Sequence, residues 1–270
     1  MKNEHDHDNI RQNVRKHYAE IAGSKGFCGV SCCSSPPANG VDASAKIGYS
    51  AKDIQAVPAE SNMGLGCGNP QAIANLKEGE VVVDLGAGGG FDCFLAAKQV
   101  GRRGRVIGVD MTPEMVSKAR ENARKGSFAN VEFRLGEIEH LPVADNTADV
   151  ILSNCVINLS PDKAQVYREA YRVLKPGGRM AISDVVAVVR IPSAVKRDFE
   201  KHSGCVAGAA AVGELEQMLR DAGFSDIRVI PKKESAAFIK DWFPGSGVER
   251  YVRSAEVGAA KPKGTRRCCG

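Results

Sequence analysis

The stretch that decides the fold reads VVVDLGAGGG and covers residues 81–90. Three successive valines are typical of a buried strand, and the glycines after them are typical of a tight turn that opens a helix. Such a turn lets a ligand approach the backbone at the helix N-terminus. A second apolar segment ends at Asp110, 20 residues after Gly90, where a carboxylate can accept hydrogen bonds from ribose hydroxyls. The stretch therefore predicts an α/β fold that binds a nucleoside-containing ligand.

The residues downstream alternate between strand-like and helix-like patterns. Apolar segments predict further strands at 105–110, 131–135, 148–153 and 180–186. Apolar residues at helical spacing predict helices between them, at 91–100, 113–125 and 160–174. Strands that alternate with helices imply βαβ units. We therefore expect a mostly parallel, doubly wound sheet whose core covers residues 71–188.

The segments on either side lack this alternation. Residues 1–70 predict a helix at 9–22, followed by an arm rich in Gly, Ser, Pro and Cys that we expect to be mobile. Residues 189–253 form a C-terminal extension with weaker helix and strand patterns. Residues 254–270 are polar and lack apolar periodicity, so they are predicted to be disordered.

Composition and charge exclude several classes of protein. Hydrophobic residues make up 43% of the chain and charged residues 26%, as in soluble globular proteins. The apolar runs are too short to span a membrane, and the polar N-terminus predicts no secretory signal, so we expect a cytoplasmic protein. A net charge of only +5 with 6% aromatic residues argues against a nucleic-acid partner.

The glycine turn differs from a dinucleotide fingerprint because its sixth position is Phe91 rather than glycine. Its form is DxGxGxG, beginning at Asp84, and it resembles motif I of class I S-adenosylmethionine-dependent methyltransferases. A helix N-terminus suits the carboxylate of that donor, and an acidic residue suits its ammonium and sulfonium. A tight turn in another α/β enzyme is the alternative. The resemblance implies a Rossmann-like fold that binds S-adenosylmethionine through Asp84, Gly86, Gly88, Gly90, Asp110, Met111, Glu137, Ile138 and Asn154.

Nine cysteines are distributed along the chain, at positions 28, 32, 33, 67, 93, 155, 205, 268 and 269. Cys155 directly follows the fourth predicted strand, Cys205 lies beyond the fifth, and Cys67 precedes the first. We expect all three near the carboxyl ends of the strands, where open parallel sheets bind ligands. Ordinary packing is the alternative for each of them, and it is our expectation for Cys93. Three soft thiolates in one place suit a soft, thiophilic acceptor.

Five segments carry a closer resemblance. They read LGCGNP (65–70), GGFDCF (89–94), GVDMTPEM (108–115), NCVINLS (154–160) and SGCVAGA (203–209). Together they resemble the arsenite methyltransferase family. The resemblance implies that Cys67, Cys155 and Cys205 are catalytic and hold trivalent arsenic as thiolates while its lone pair attacks the S-methyl group. A fourth family cysteine corresponds to Cys32 or Cys33.

The resemblance also implies the partners of the protein. These are arsenite, methylated arsenicals and a cellular thiol reductant of the glutathione or thioredoxin type, with no metal besides the arsenic substrate. It implies a role in arsenic detoxification, with the 189–253 extension contributing to the arsenic site. Two alternatives stay open. A methyltransferase acting on a small organic acceptor such as a quinone or sterol would leave the cysteines idle, and a non-catalytic thiol buffer for metalloids would leave the donor loop unused.

Overall fold

The computed structural model describes residues 2–23, 40–196 and 205–263. Within these ranges the chain forms a seven-stranded sheet. In chain order its strands are β1 (Val81–Leu85), β2 (Arg105–Asp110), β3 (Val131–Leu135), β4 (Ala148–Asn154), β5 (Leu174–Ala187), β6 (Ser225–Pro231) and β7 (Val252–Ala260). Their spatial order is β3-β2-β1-β4-β5-β7-β6.

Helices cover both faces of the sheet. They are α1 (Lys2–Gly23), α2 (Gly40–Lys46), α3 (Ala51–Gln55), α4 (Gln71–Ala74), α5 (Phe91–Val100), α6 (Pro113–Lys125), α7 (Lys163–Val173), α8 (Ser193–Lys196), α9 (Val212–Asp221) and α10 (Ala236–Ile239). Pro113 opens α6, in keeping with the preference of proline for the first helical position. Among the helices that the structure describes, none is long and apolar enough to cross a membrane.

The strand pairing confirms the predicted fold class. Strands β1 to β5 run parallel to one another, whereas β7 is antiparallel to both β5 and β6. The strand order reverses where β1 lies between β2 and β4. Such a reversal opens a crevice outside the carboxyl ends of the strands, which is where doubly wound folds bind ligands. The crevice lies next to the glycine turn.

The valine run that begins β1 is buried on both sides of the sheet. Val82 packs in the same apolar cluster as Phe94 of α5, and Val83 packs in a separate cluster with Tyr167 of α7. Both valines are fully buried. Because helices cover both faces of a parallel sheet, a central strand needs a continuous apolar run rather than an alternating one.

The prediction of a disordered tail at residues 254–270 is wrong for its first part. Residues 252–260 form β7, which lies inside the sheet between β5 and β6. The strand consists mostly of Ala, Ser and Gly, so its local sequence has little strand propensity. Pairing with two neighbours and burial of Ala255 and Val257 stabilise it instead. Residues 264–270, with Cys268 and Cys269, lie outside the described residues.

The N-terminal region also contains more helix than predicted. Helix α1 covers residues 2–23 rather than 9–22, and residues 40–46 of the expected arm form α2. Val14 of α1 is buried, and the helix packs against α6. Cys28, Cys32 and Cys33 lie outside the described residues, so their predicted roles stay predictions.

Candidate active site

A cavity opens at the carboxyl ends of β1, β2 and β4, beneath α1. Of the residues predicted to hold the methyl donor, its walls include Asp84, Gly86, Gly88, Asp110, Met111, Ile138 and Asn154. Of the three cysteines expected near the carboxyl ends of the strands, here called the rim cysteines (Cys67, Cys155 and Cys205), Cys155 and Cys205 line the same cavity. The fold therefore brings the glycine turn and these two cysteines to one place.

The glycines of motif I serve different purposes. Gly86 has φ +71°, and a Cβ atom there would lie 2.4 Å from Cγ2 of Val156, so no other residue fits. Gly88 has φ +51° and faces open space in the cavity, which leaves its backbone accessible to a ligand. Gly90 does not line the cavity; it precedes α5 with φ +93° and packs against Phe94 and Phe133.

Asp110 stands at the end of β2 and lines the cavity. One of its carboxylate oxygens accepts a hydrogen bond from the backbone N–H of Gly88 and the other from that of Thr112, both at 2.9 Å. Burial raises the pKa of Asp110, and the hydrogen bonds from Thr112 and Gly88 act in the opposite direction. The backbone N–H and the hydroxyl of Thr112, together with the N–H of Gly88, occupy three of the roughly four lone-pair positions of the carboxylate. The carboxylate can therefore still accept a hydroxyl group of a bound ligand.

Two buried carboxylates form an acidic wall. Asp84 of β1 and Asp92 of α5 both line the cavity. The hydroxyl of Tyr49 donates to both oxygens of Asp92, at 2.8 and 2.9 Å, and the thiol of Cys93 donates to Asp84 at 3.1 Å. Burial, followed by the charge of Asp92, raises the pKa of Asp84 well above its usual range. A cationic group in the cavity would relieve this repulsion.

Asp92 was not identified from the sequence. Its only local signal is a polar residue in the apolar run FDCFLAA that opens α5. Asn62 was also missed. It lines the cavity, and its buried Nδ2 has no hydrogen-bond acceptor within the part of the chain that the structure describes. An unpartnered buried donor of this kind is available to a polar ligand.

Asn154 connects the cavity to the loop that carries Cys67. Its Nδ2 donates to the hydroxyl of Tyr49 at 2.9 Å and to the carbonyl of Gly68 at 2.8 Å. Its Oδ1 accepts the backbone N–H of Cys67 at 3.1 Å. Gly66 approaches so closely that a Cβ atom there would lie 2.8 Å from Nδ2. The predicted donor-binding residue Asn154 is therefore also a support for a predicted arsenic ligand.

The structure places Glu137 differently from the expectation. Its carboxylate forms ion pairs with Arg11 and Arg15 of α1, at 3.4 and 3.2 Å, and it does not line the cavity. Glu139 lines the cavity instead, is buried, and accepts the hydroxyl of Ser160 at 2.7 Å. Ile138 lies between them and does line the cavity. These ion pairs dock α1 over this side of the site.

The three rim cysteines come together as expected. The sulfurs of Cys67 and Cys155 and a carboxylate oxygen of Asp184 all lie within 4.8 Å of one another. The thiol of Cys205 donates to the carbonyl of Cys155 at 2.9 Å. Cys67 is buried directly behind Gly66, which lines the cavity. Cys93 is buried in the apolar core away from this group, as predicted.

Both cysteines that line the cavity adopt an unusual backbone conformation. Cys155 has φ +59° and Cys205 has φ +63°, in the left-handed region that residues with side chains rarely occupy. Such strain costs about 1–3 kcal/mol and persists only where surrounding contacts impose it. Both cysteines that line the cavity are among the six described residues other than glycine that have this conformation.

The surroundings of Cys155 and Cys205 favour the protonated form of both thiols. The neighbouring Cys205 and Cys67 thiols, together with burial, raise the pKa of Cys155 well above its usual range. The hydrogen bond with Cys155 lowers the pKa of Cys205, but burial and the charge of Asp184 outweigh it, so this pKa is raised too. Neutral thiols in an apolar pocket are poor hosts for hard cations and good precursors of bonds to soft elements.

The chain matches the family described as Methyltransferase domain over residues 76–223. An arsenite methyltransferase from Halobacterium salinarum is 50% identical to it, covering 95% of this chain and 68% of that protein. One from Mus musculus is 32% identical, covering 83% of this chain and 60% of that protein. The chain thus spans roughly two thirds of the length of these curated relatives.

A solved structure agrees with these sequences. The arsenic(III) S-adenosylmethionine methyltransferase from Chlamydomonas reinhardtii aligns with a TM-score of 0.60 and 36% identity, covering 85% of this chain and 75% of that one. A methyltransferase from Aquifex aeolicus, 24% identical with a TM-score of 0.53, shares the fold. The methyl donor of this fold is S-adenosylmethionine, which fits the acidic wall, the open glycine turn and the free amide of Asn62. The chain belongs to the arsenite methyltransferase family and is an S-adenosylmethionine-dependent methyltransferase.

Proposed function

We propose that this chain transfers a methyl group from S-adenosylmethionine to trivalent arsenic bound by Cys67, Cys155 and Cys205. The observation that carries the proposal is the position of these thiols. Cys155 and Cys205 line the cavity that contains the glycine turn, and the Cys67 sulfur lies within 4.8 Å of the Cys155 sulfur. A quinone or sterol acceptor would give this group of thiols no chemical role.

Thiols in their protonated form can react directly with arsenite as it exists in water. Each thiol that binds forms one As–S bond and breaks one As–OH bond, and the thiol proton leaves with the hydroxide as water. Three thiols therefore replace three hydroxyl groups without net change of charge or need for a separate base. The raised pKa values of Cys155 and Cys205 do not oppose this exchange, because no free thiolate has to accumulate.

The remaining residues orient the two substrates. Bound S-adenosylmethionine supplies an electrophilic methyl group. Asp110 can accept one of its ribose hydroxyls, and the acidic wall of Asp84 and Asp92 can hold its ammonium. Val156, Leu159 and Trp242 line the cavity beside the thiols and limit the access of water. The protein thus contributes mainly proximity and orientation between the arsenic lone pair and the methyl carbon.

A cellular thiol reductant of the glutathione or thioredoxin type and a cytoplasmic location complete the proposal. Attack by the arsenic lone pair oxidises arsenic by two electrons, and a dithiol that becomes a disulfide can return them. The described cysteines Cys67, Cys93, Cys155 and Cys205 are all free thiols. A reducing compartment keeps such thiols available for arsenic.

The test is a product assay with the full chain. Arsenite, S-adenosylmethionine and a thiol reductant are incubated with the protein, and arsenic species are separated by chromatography with elemental mass detection. We expect methylated arsenic to appear in step with S-adenosylhomocysteine. Methylation of a quinone or sterol but not of arsenic would favour the organic acceptor. Arsenic binding without donor binding would favour a metalloid buffer.

Replacing Asp110 by alanine is expected to weaken binding of S-adenosylmethionine about ten- to a hundredfold. The variant loses a charge-assisted hydrogen bond worth about 1.5–3 kcal/mol, which corresponds to this change in the dissociation constant. Calorimetric titration of the donor measures it. The dissociation constant of arsenite should stay within about twofold of wild type because Asp110 is not among the proposed arsenic ligands. Unchanged donor affinity would remove Asp110 from the donor site.

Replacing Cys67 by serine is expected to separate the two trivalent substrates. Arsenite offers three positions to thiols, whereas a monomethylated arsenical has one position filled by carbon and offers two. The variant should lose methylation of arsenite and keep part of its activity on the monomethylated form. Product formation from each substrate, measured after donor binding has been verified, checks this. An equal loss of activity on both substrates would contradict the idea that arsenite needs three thiols and the monomethylated form only two.

A further inference from the structure

We propose that Asp184 is a positioning residue that holds the turn carrying Cys155 in the geometry needed for arsenic binding. The inference rests on the proposed function of Cys155 and extends it to a residue that the chemistry itself does not require. Asp184 lies near the end of β5 and is buried, with 3% of its surface exposed. It does not line the cavity that binds the donor.

The carboxylate accepts three hydrogen bonds from the segment that follows Cys155 and one from its own neighbour in β5. One oxygen accepts the backbone N–H groups of Ile157 at 3.0 Å and of Asn158 at 3.3 Å. The other accepts Nδ2 of Asn158 at 2.8 Å and the backbone N–H of Val185 at 2.7 Å. A carboxylate offers about four lone-pair positions. These four donors occupy them, so Asp184 is already satisfied without an arsenic atom.

Because its hydrogen-bond positions are filled, the Asp184 carboxylate can be identified as a support of the turn rather than a ligand of arsenic. The carboxylate lies within 4.8 Å of the sulfurs of Cys67 and Cys155, so distance alone would permit it to join them around one atom. To do so it would have to give up a hydrogen bond to a buried N–H group, which costs about 1–3 kcal/mol. Arsenic(III) also prefers sulfur to a hard oxygen ligand. The carboxylate is therefore placed to hold the turn rather than the arsenic.

The turn needs such support because of its strain. Cys155 has φ +59°, and its N–H donates to the carbonyl of Ser183 at 2.8 Å, which continues the pairing of β4 with β5. Beyond Cys155 the chain leaves the sheet, and the bonds from Ile157 and Asn158 to Asp184 fix it again. The backbone is thus held immediately before and after the strained position. Releasing the second anchor lets Cys155 relax and moves its sulfur relative to Cys67 and Cys205.

The experiment compares four full-length proteins: wild type, Asp184→Asn, Asn158→Ala and Asp149→Asn. Asparagine at 184 keeps the shape but places an NH₂ group against N–H donors, and Asn158→Ala removes one anchor while keeping the carboxylate. Asp149→Asn is the matched control. That residue also accepts a backbone N–H, from Val81 at 2.8 Å, but at the opposite end of β4. Arsenite is the probe.

Two readouts are measured. X-ray absorption at the arsenic edge counts sulfur and oxygen neighbours, and equilibrium titration gives the arsenite dissociation constant. For wild type and Asp149→Asn we expect three sulfur neighbours. For Asp184→Asn we expect one sulfur to be replaced by oxygen and affinity to fall at least about tenfold, as is usual when residues supporting a ligand are lost. Asn158→Ala should change both in the same direction by a smaller factor. Donor affinity should be equal in all four.

The outcomes separate this inference from the function on which it depends. No arsenic–sulfur bonds in the wild type would overturn the proposed thiol site, and the inference with it. Three sulfur neighbours and unchanged affinity in Asp184→Asn would overturn the positioning role alone. If Asp184→Asn does not fold, Asn158→Ala decides, and wild-type coordination and affinity in that variant would reject the role.

Discussion

A chain shortened to end at Arg253 is expected to lose its cooperative fold and all methyl transfer. The cut leaves only the first two residues of β7, a strand that pairs with β5 along its whole length and with β6 on its other edge. It exposes both neighbouring edges and removes the buried Val257, whose burial alone contributes about 1.5–3 kcal/mol. Domains of this kind have a net stability of about 5–15 kcal/mol, so the combined loss exceeds what the fold can tolerate.

The cut also removes a support of the candidate site. The hydroxyl of Ser254 donates to the carbonyl of Cys67 at 2.6 Å, and Gly68 packs against Ser183 beside it. The matched control is a chain that ends at Lys263, which keeps β7 and lacks only residues 264–270. Thermal unfolding followed by circular dichroism and arsenite turnover are measured for both. We expect the control to resemble the full chain. A cooperative transition at an unchanged temperature in the shorter chain would contradict the structural role of β7.

The parts of the fold that were predicted correctly are those whose local sequence and tertiary role agree. The valine run of β1 is continuous because both faces of the sheet are covered, and the proline that opens α6 has the position that helix starts favour. β7 was missed because five of its nine residues are Ala, Ser or Gly, which have weak strand propensity. Its structure comes from pairing with β6, about 30 residues earlier in the chain, and with β5, about 75 residues earlier.

In the candidate site, too, some residues could be identified from their local sequence and others could not. The glycine turn and the cysteines were identified because glycine and thiol chemistry can be recognised one residue at a time. Asp184, Asp92 and Asn62 were not, because nothing in their own segments indicates what they contact. Asp184 bonds to residues 26 and 27 positions earlier, and Asp92 bonds to Tyr49, 43 positions earlier. The supporting residues of a site depend on the finished fold, whereas its reactive residues carry a signal of their own.

Replacing Cys155 or Cys205 by serine is expected to abolish methylation of arsenite and of the monomethylated arsenical alike. Both residues line the cavity of the glycine turn, and both are held in left-handed conformations that fix the direction of the sulfur. A serine hydroxyl is a hard, poorly ionised ligand that binds arsenic weakly. Either substitution leaves Cys67 and only one of the two thiols that line the cavity, and we expect the monomethylated substrate to need both cavity thiols. Loss of orientation of this order lowers turnover by about a hundredfold or more.

The control must be a buried cysteine other than Cys67, Cys155 and Cys205, and Cys93 fulfils this condition. In Cys93→Ser the hydroxyl can still donate to Asp84, as the thiol does at 3.1 Å, so arsenite binding should stay within about twofold of wild type. Donor affinity is measured first for all three variants, so that a loss of turnover in Cys155→Ser or Cys205→Ser reports on arsenic alone. Full turnover in Cys205→Ser would refute the three-thiol site. If Cys205→Ser instead lost activity on arsenite and kept it on the monomethylated substrate, Cys205 would be the thiol that only arsenite requires. The role that we assign to Cys67 would then belong to Cys205.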